Sequence, residues 1–401
     1  MIEQARRRRI LGHGRPKQFP EGEPMLGGWY TEKEIAAAVK AIRDSMDWHV
    51  GFGFLVREIT DFEKAFARYC GTRYAVSVAT ASIGLDMAMR CLDLEPGDEV
   101  ICPAVNFKAS HMAVLGQGGR LVFCEIDPRT FNIDPADAER RITRRTRAIL
   151  PVHMNGLAAP MDELLKIARR HSRSRRRPIQ VIGDAARACG GGCKGEKIGK
   201  KGWMTVFSFH TMKLMTTLGE GGMVTTDSAR VAARLRDIRQ WGGKSGWGSS
   251  YKMTRVQAAV GLVQLRRLDG MIARRVRLAR KRSRLLEGAP GLTLPYEPPG
   301  YNHTYYLYTM LVPCEWAGRK RDGVVRILRE KYRIGCIIAN PPTYQDNSFI
   351  RARTARRNLT LSEEIGARIF CPSIHPLMTD EQNEYISAAV IEAMERVRER
   401  R

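Results

Sequence analysis

Lys213 is flanked by Thr211, Met212, Leu214, Met215, Thr216 and Thr217, none of which carries an acid that could pin an ammonium. A lysine acts as a nucleophile only as the free amine, and desolvation or a neighbouring cation makes that form available for attack on a carbonyl carbon. The same surroundings also suit a lysine that snorkels from the end of a buried strand, so other parts of the chain must decide. Four further positions have suitable chemistry. Asp184 closes the apolar run PIQVIG with a carboxylate, and Ser208 falls in the last two residues of the run MTVFSF. Thr80-Ala81-Ser82 joins a β-type run to a helical pattern, a place where backbone N–H groups and a hydroxyl can hold a phosphate. Phe107 follows another β-type run and offers a ring for stacking on a flat ligand.

The elements that must position these residues alternate along the chain. β-type runs are expected at 74–78, 99–105, 121–126, 148–153, 179–183, 204–209 and 222–226, with helical patterns at 82–92, 135–142 and 161–170. Such alternation predicts an α/β fold, a mostly parallel sheet covered on both faces. Ligands of open α/β sheets collect beyond the carboxyl ends of the strands, where Asp184, Ser208, Phe107 and the Thr80–Ser82 junction fall. A phosphate cradle, a stacking ring, a carboxylate for a ring nitrogen and a Schiff-base lysine together meet the needs of pyridoxal phosphate. Each signal alone has an ordinary structural explanation, as a helix cap or a turn residue. Their joint occurrence in strand order does not.

Composition narrows the remaining classes. The 401 residues include 67 Lys and Arg against 42 Asp and Glu, a formal charge of +25 that favours encounter with anions without choosing among them. The basic blocks at residues 6–9, 171–177 and along 264–284 lack interleaved aromatics and match no nucleic-acid module, which argues against a nucleic-acid partner. No apolar run approaches the ~18 residues that span a bilayer. The opening MIEQARRRRILGHGRPKQFPEG has no apolar centre of a secretory signal, so the chain reads as soluble and cytoplasmic. Nine cysteines without framework spacing read as reduced thiols, and no second Cys pair or His cluster joins Cys189 and Cys193 in a metal site. A nicotinamide enzyme is disfavoured because no G-x-G-x-x-G opens a helix after a strand.

With these residues identified, the chain resembles the DegT/DnrJ/EryC1/StrS family of sugar aminotransferases, which have the aspartate aminotransferase fold (fold type I). The likeness rests on GDEVICPAVNF (97–107), RTRAILPVHMNG (145–156), VIGDAARACGG (181–191), TVFSFHTMKLMTTLGEGG (205–222), VQAAVGLVQLRRLD (256–269) and CPSIHPLMTDEQ (371–382). It implies that Lys213 forms the Schiff base and that Asp184 pairs with the pyridinium nitrogen. Ser208 and Ser82, beside Ala81, would bind the cofactor phosphate, and Phe107 would stack on the ring. Three departures from the family pattern stand out. Arg187 replaces a Gln or His near the cofactor's phenolic oxygen, where it could stabilise a phenolate or recruit an acidic substrate. Ser250-Tyr251-Lys252 replaces the Asn-Tyr-Arg stretch that reaches the partner subunit's cofactor phosphate. Leu218 is an extra residue before Glu220-Gly221-Gly222.

The resemblance implies transamination from glutamate or glutamine to a keto sugar, nucleotide-linked in many members, through a pyridoxamine form. A cyclitol ketone is the alternative acceptor. Another reaction on a sugar, such as dehydration or epimerisation, and a cofactor-bound regulator are the rivals. His303 and Tyr344 lie in regions where the family's small domain meets substrate, although His303 could equally serve a hydrogen bond among Tyr305, Tyr306 and Tyr308. The expected architecture is a large domain with a seven-stranded sheet at 1–245, including an arm at 1–28, and a smaller α+β domain at 246–401. The expected assembly is a homodimer with shared active sites.

Overall fold

The computed structural model describes residues 1–14, 29–51, 53–244, 246–354 and 359–399. Its main sheet has seven strands: β1 (Tyr74–Val78), β2 (Glu99–Pro103), β3 (Arg120–Cys124), β4 (Thr146–Ile149), β5 (Gln180–Asp184), β6 (Met204–Ser208) and β7 (Gly222–Thr226). Their order is β1-β7-β6-β5-β4-β2-β3, and only β7 runs against the others. These strands are nearly continuous apolar runs because helices cover both faces; Val76, Val206 and Val224 are fully buried on one side, and Ile149 and Val181 are buried in a cluster on the other. The expected strands are all present, with ends displaced by up to four residues.

Helices fix the sheet by burying one stripe each. The helix Ala81–Cys91 is started by Thr80, whose hydroxyl accepts the Ile83 N–H at 3.2 Å, and it packs Leu85, Ala88 and Met89 against the sheet. Gly84 permits this close seating, since a Cβ there would lie 2.9 Å from Val206. Thr31 with Glu34 three residues on has the pattern of a capping box, and the box forms: Glu34 accepts from the Thr31 N–H at 2.8 Å. Glu34 is buried and also bonds Gln264 and Arg267, which joins the helix Glu32–Asp44 to the 32-residue helix Arg255–Leu286.

A second core lies beyond that long helix. It contains a three-stranded antiparallel sheet, Met310–Leu311, Ile369–Pro372 and Cys336–Ile337, backed by the helices Arg319–Glu330 and Asp380–Glu399. The first residues depart from the expected arm: Gln4–Gly12 is a helix lying on Asp380–Glu399. Ile2 is buried in the second core, while Arg7 pairs with Glu395 at 2.7 Å and Arg6 with Glu384 at 3.0 Å. Two of the four clustered arginines thus serve as ties between chain ends. The remainder of the expected arm, 15–28, and the expected domain limit at Ser245 lie outside the described residues.

Candidate active site

The site forms where β1, β5 and β6 end together. β5 delivers Asp184, which is buried and receives hydrogen bonds on both oxygens, from the Ser110 hydroxyl on Oδ2 and from the Ala186 N–H at 3.0 Å on Oδ1. Two donors hold the carboxylate in one orientation and leave lone pairs for a third. Ser110 stands in the first turn of Ala109–Gly116, the helix that follows Phe107.

Beside it, β1 leads through Thr80 into the helix Ala81–Cys91. The Ala81 and Ser82 N–H groups are the first of that helix and have no acceptor within it. Gly222 pairs with Val78 on one side and Ser208 on the other, and its missing side chain lets the three segments converge. A Cβ on Gly222 would lie 2.7 Å from the Ala81 nitrogen. Ser208 is buried at the end of β6 and adds its hydroxyl to the same corner. Helix-end N–H groups, a positive dipole end and hydroxyls together make an anion cradle.

The segment between β6 and β7 folds back on itself to present Lys213. Phe209 N–H bonds the Gly221 carbonyl at 2.9 Å and Thr211 N–H bonds the Gly219 carbonyl at 2.9 Å. The extra residue Leu218 takes a left-handed backbone, φ 61°, and its N–H is held by the Tyr30 hydroxyl at 2.9 Å. Lys213 Nζ donates to the Tyr306 hydroxyl at 3.2 Å and stands 4.8 Å from the centre of that ring. No acidic side chain among the described residues pairs with it. The lack of an acidic partner expected from its neighbours in sequence therefore holds in three dimensions.

Ala81, Ser82, Phe107, Asp184, Arg187, Ser208 and Lys213 line one cavity of about 190 Å³. Phe107 is half-exposed there, an aromatic ring open to a flat partner, and Val152 and Ala186 add apolar wall. A buried carboxylate, an amine without a counter-ion, helix N–H groups without acceptors and an open ring in one cavity fit pyridoxal phosphate.

The sequence pattern of the DegT/DnrJ/EryC1/StrS aminotransferase family matches residues 30–391. The chain belongs to this family. It is 39% identical over 283 residues to GDP-perosamine synthase of Caulobacter vibrioides, covering 68% of this chain and 73% of that protein. It is 36% identical over 282 residues to dTDP-3-amino-3,4,6-trideoxy-alpha-D-glucose transaminase of Streptomyces venezuelae, covering 69% and 72%. The crystal structure of S. venezuelae DesV in complex with a ketimine intermediate has a TM-score of 0.84 and 31% identity, covering 93% of this chain and 99% of that one. The fold is therefore fold type I, and this aminotransferase depends on pyridoxal phosphate.

Two residues expected at the site, His303 and Tyr344, stand elsewhere in this aminotransferase, and Ser250 and Lys252, expected at the partner subunit's cofactor, lie outside this cavity. His303 lines a different cleft, beside Arg280 and Arg284. Its Nδ1 accepts the Tyr305 N–H at 2.8 Å, its ring stacks on Tyr305 at 4.1 Å, and burial pushes its pKa down to about 3. Tyr344 packs on Phe123 and gives its hydroxyl to Glu363 at 2.7 Å. Ser250 and Lys252 bond each other at 2.9 Å, with Lys252 Nζ 3.7 Å from the centre of the exposed Trp241 ring. Conversely, Ser110, Tyr306 and Asn340 touch functional side chains and carried no local sequence signal.

Proposed function

We propose that this aminotransferase moves an amino group from glutamate or glutamine to the ketone of a nucleotide-linked sugar. The observation that carries the reading is the single cavity shared by Asp184, Lys213 and the free helix end at Ala81. The acceptor class is supported by the GDP- and dTDP-sugar names of two relatives and by the +25 charge, which suits a diphosphate-bearing substrate.

Pyridoxal phosphate supplies an aldehyde that carries the amino group and a ring that withdraws electrons from the carbon being deprotonated. The Ala81 and Ser82 N–H groups and the Ser82 and Ser208 hydroxyls hold its phosphate. Asp184, fixed by Ser110 and Ala186, holds a proton on the ring nitrogen. Phe107 covers a ring face and excludes water from it. Lys213 Nζ, steadied by the Tyr306 hydroxyl, takes a proton from the donor's α-carbon and returns it on the other side of the transfer.

The working unit of this reading is a homodimer. Ile35, Val39 and Ile42 form an exposed apolar stripe on the helix Glu32–Asp44, and Trp48, Phe54, Trp241 and Trp247 are exposed as well. A second copy would cover this surface and meet Ser250 and Lys252, bringing them to the other cofactor's phosphate. The division into a large domain to about residue 245 and a smaller one beyond belongs to the same reading, supported by the separate core around Leu278, Val324 and Ile386.

The test is an absorbance scan of the purified holoenzyme with glutamate and with glutamine, while 2-oxoacid is measured. The expected result is loss of the aldehyde-form band with stoichiometric 2-oxoacid, reversed by a nucleotide-linked keto sugar. If no amino acid releases its 2-oxoacid, the reading fails; an active monomer would refute only the shared site.

A further inference from the structure

Arg187 is a buried cation whose hydrogen-bond partners are all neutral. Nη1 bonds Asn155 Oδ1 at 3.3 Å and contacts Met154 Sδ at 3.7 Å, and Nη2 bonds Asn340 Oδ1. No acidic side chain among the described residues pairs with it, although it lines the Lys213 cavity. A guanidinium has five N–H donors, and these contacts engage only its two outer nitrogens. Two other buried arginines are satisfied in ways Arg187 is not. Arg239 has Glu63, and Arg282 donates from all three nitrogens to Asn383, Pro372, Ser373 and Met378. Arg187 alone among these three opens on the reaction cavity.

A buried charge is retained at a cost unless an opposite charge arrives. The planar fork of a guanidinium matches a carboxylate with two parallel hydrogen bonds. Its supports also suit a receiver. Asn155 is fixed in a left-handed backbone, φ 53°, and gives its own amide to Thr309 at 2.9 Å, whereas Asn340 comes from the segment before Pro341 and Pro342. The guanidinium is thereby held between two parts of the chain that are far apart in sequence. With Lys213 it balances Asp184 and Glu220 in the cavity, yet neither acid pairs with it directly.

We infer that Arg187 is a carboxylate subsite of the reaction cavity and determines which substrates are accepted. The inference rests on the proposed transamination, in which every amino donor brings a carboxylate next to the reacting carbon. The carboxylate could also come from an acidic sugar acceptor, and the test separates the two sources.

Holoenzyme is titrated calorimetrically with glutarate and its uncharged relative glutaramide, and with glucuronate against glucose, for wild type, Arg187→Gln and Arg187→Lys. In parallel, the glutamate half-reaction of each holoenzyme is followed by cofactor absorbance. Preferential glutarate binding that weakens at least tenfold in Arg187→Gln and partly returns in Arg187→Lys assigns the subsite to the donor; the donor KM should then rise at least tenfold, with a smaller fall in kcat. Preference for glucuronate alone assigns it to an acidic acceptor. The comparison of charged with uncharged ligands on wild type does not depend on either variant folding. Equal binding of charged and uncharged ligands to wild type overturns the inference. So does an Arg187→Gln enzyme whose only change is a displaced cofactor absorption band without ligand, because the cation would then serve the phenolate. If wild type releases 2-oxoglutarate while carboxylate binding ignores Arg187, this inference falls and the proposed reaction stands.

Discussion

Gly222→Ala probes the anion cradle at the point where three backbone segments meet. The added Cβ would stand 2.7 Å from the Ala81 nitrogen, 2.8 Å from the Thr80 carbonyl carbon and 3.0 Å from the Phe207 oxygen. All three are backbone atoms, so no side chain can swing aside. Ordinary contact between such atoms is about 3.5 Å, so the helix end must retreat by roughly 0.8 Å or the strand must move. A hydrogen bond from Ala81 or Ser82 to a phosphate at about 2.9 Å would then stretch to about 3.7 Å, outside the useful range. Losing two charge-assisted bonds of about 1.5 kcal/mol each gives about 3 kcal/mol, a weakening of pyridoxal phosphate binding on the order of 100-fold. If the strand moves instead, overpacking costs about 1–3 kcal/mol of stability and the melting temperature falls by several degrees. Fluorescence titration of apoenzyme with pyridoxal phosphate, paired with thermal melts, reads both outcomes. A Gly222→Ala protein with cofactor affinity within twofold of wild type and an unchanged melt would refute the placement of the phosphate at this corner.

Lys213→Ala should abolish the borohydride-sensitive cofactor band and lower the half-reaction rate by at least about 1000-fold, since it removes both nucleophile and proton carrier; persistence of either would show another residue at work. Burial raises the Glu34 carboxyl, but bonds from Thr31, Arg267 and Gln264 outweigh it and hold its pKa at about 2, below the ordinary 4.5. A carboxyl lowered on folding contributes stability that is complete above about 4.5 and disappears as pH falls towards 2. Melting temperatures between pH 6 and 2 should therefore fall less steeply in Glu34→Gln, which should melt a few degrees lower at pH 7 through loss of a charge-assisted bond of about 1.5–3 kcal/mol. Gly270→Ala, in the interior of Arg255–Leu286 where a Cβ meets nothing within 4 Å, should stabilise the protein by up to about 1 kcal/mol in urea titration.

Residues whose role depends on their immediate chain neighbours could be read directly. Asp184 was legible because a buried parallel strand is an apolar run and a carboxylate marks its end; Lys213 was legible because no acid accompanies it in sequence. The helix start at Thr31 follows the same logic, since a capping box is complete within four residues. Ser110, Tyr306 and Asn340 act through partners 74, 93 and 153 residues away, so nothing near them in the chain distinguishes them from other serines, tyrosines and asparagines. The N-terminal helix escaped notice for the same reason, because Arg7 finds Glu395 across 388 residues.

The displaced expectations are informative about how the two cores meet. Segments 303–308 and 338–344 do approach the site, yet through Tyr306 and Asn340 instead of His303 and Tyr344. Tyr306 is set by its neighbours: Thr304 N–H bonds the Gly156 carbonyl at 2.9 Å, and Arg275 takes the Tyr306 carbonyl at 3.1 Å. Gly156 must lack a side chain for this docking, because a Cβ would fall 2.5 Å from Thr304 Oγ1 and 2.8 Å from the Tyr306 nitrogen. Asn155, adjacent to it, holds Arg187. The turn Asn155-Gly156 therefore couples the residue that steadies the Lys213 amine to the cation that faces the substrate. Any substitution that shifts this turn should disturb proton transfer and substrate selection together.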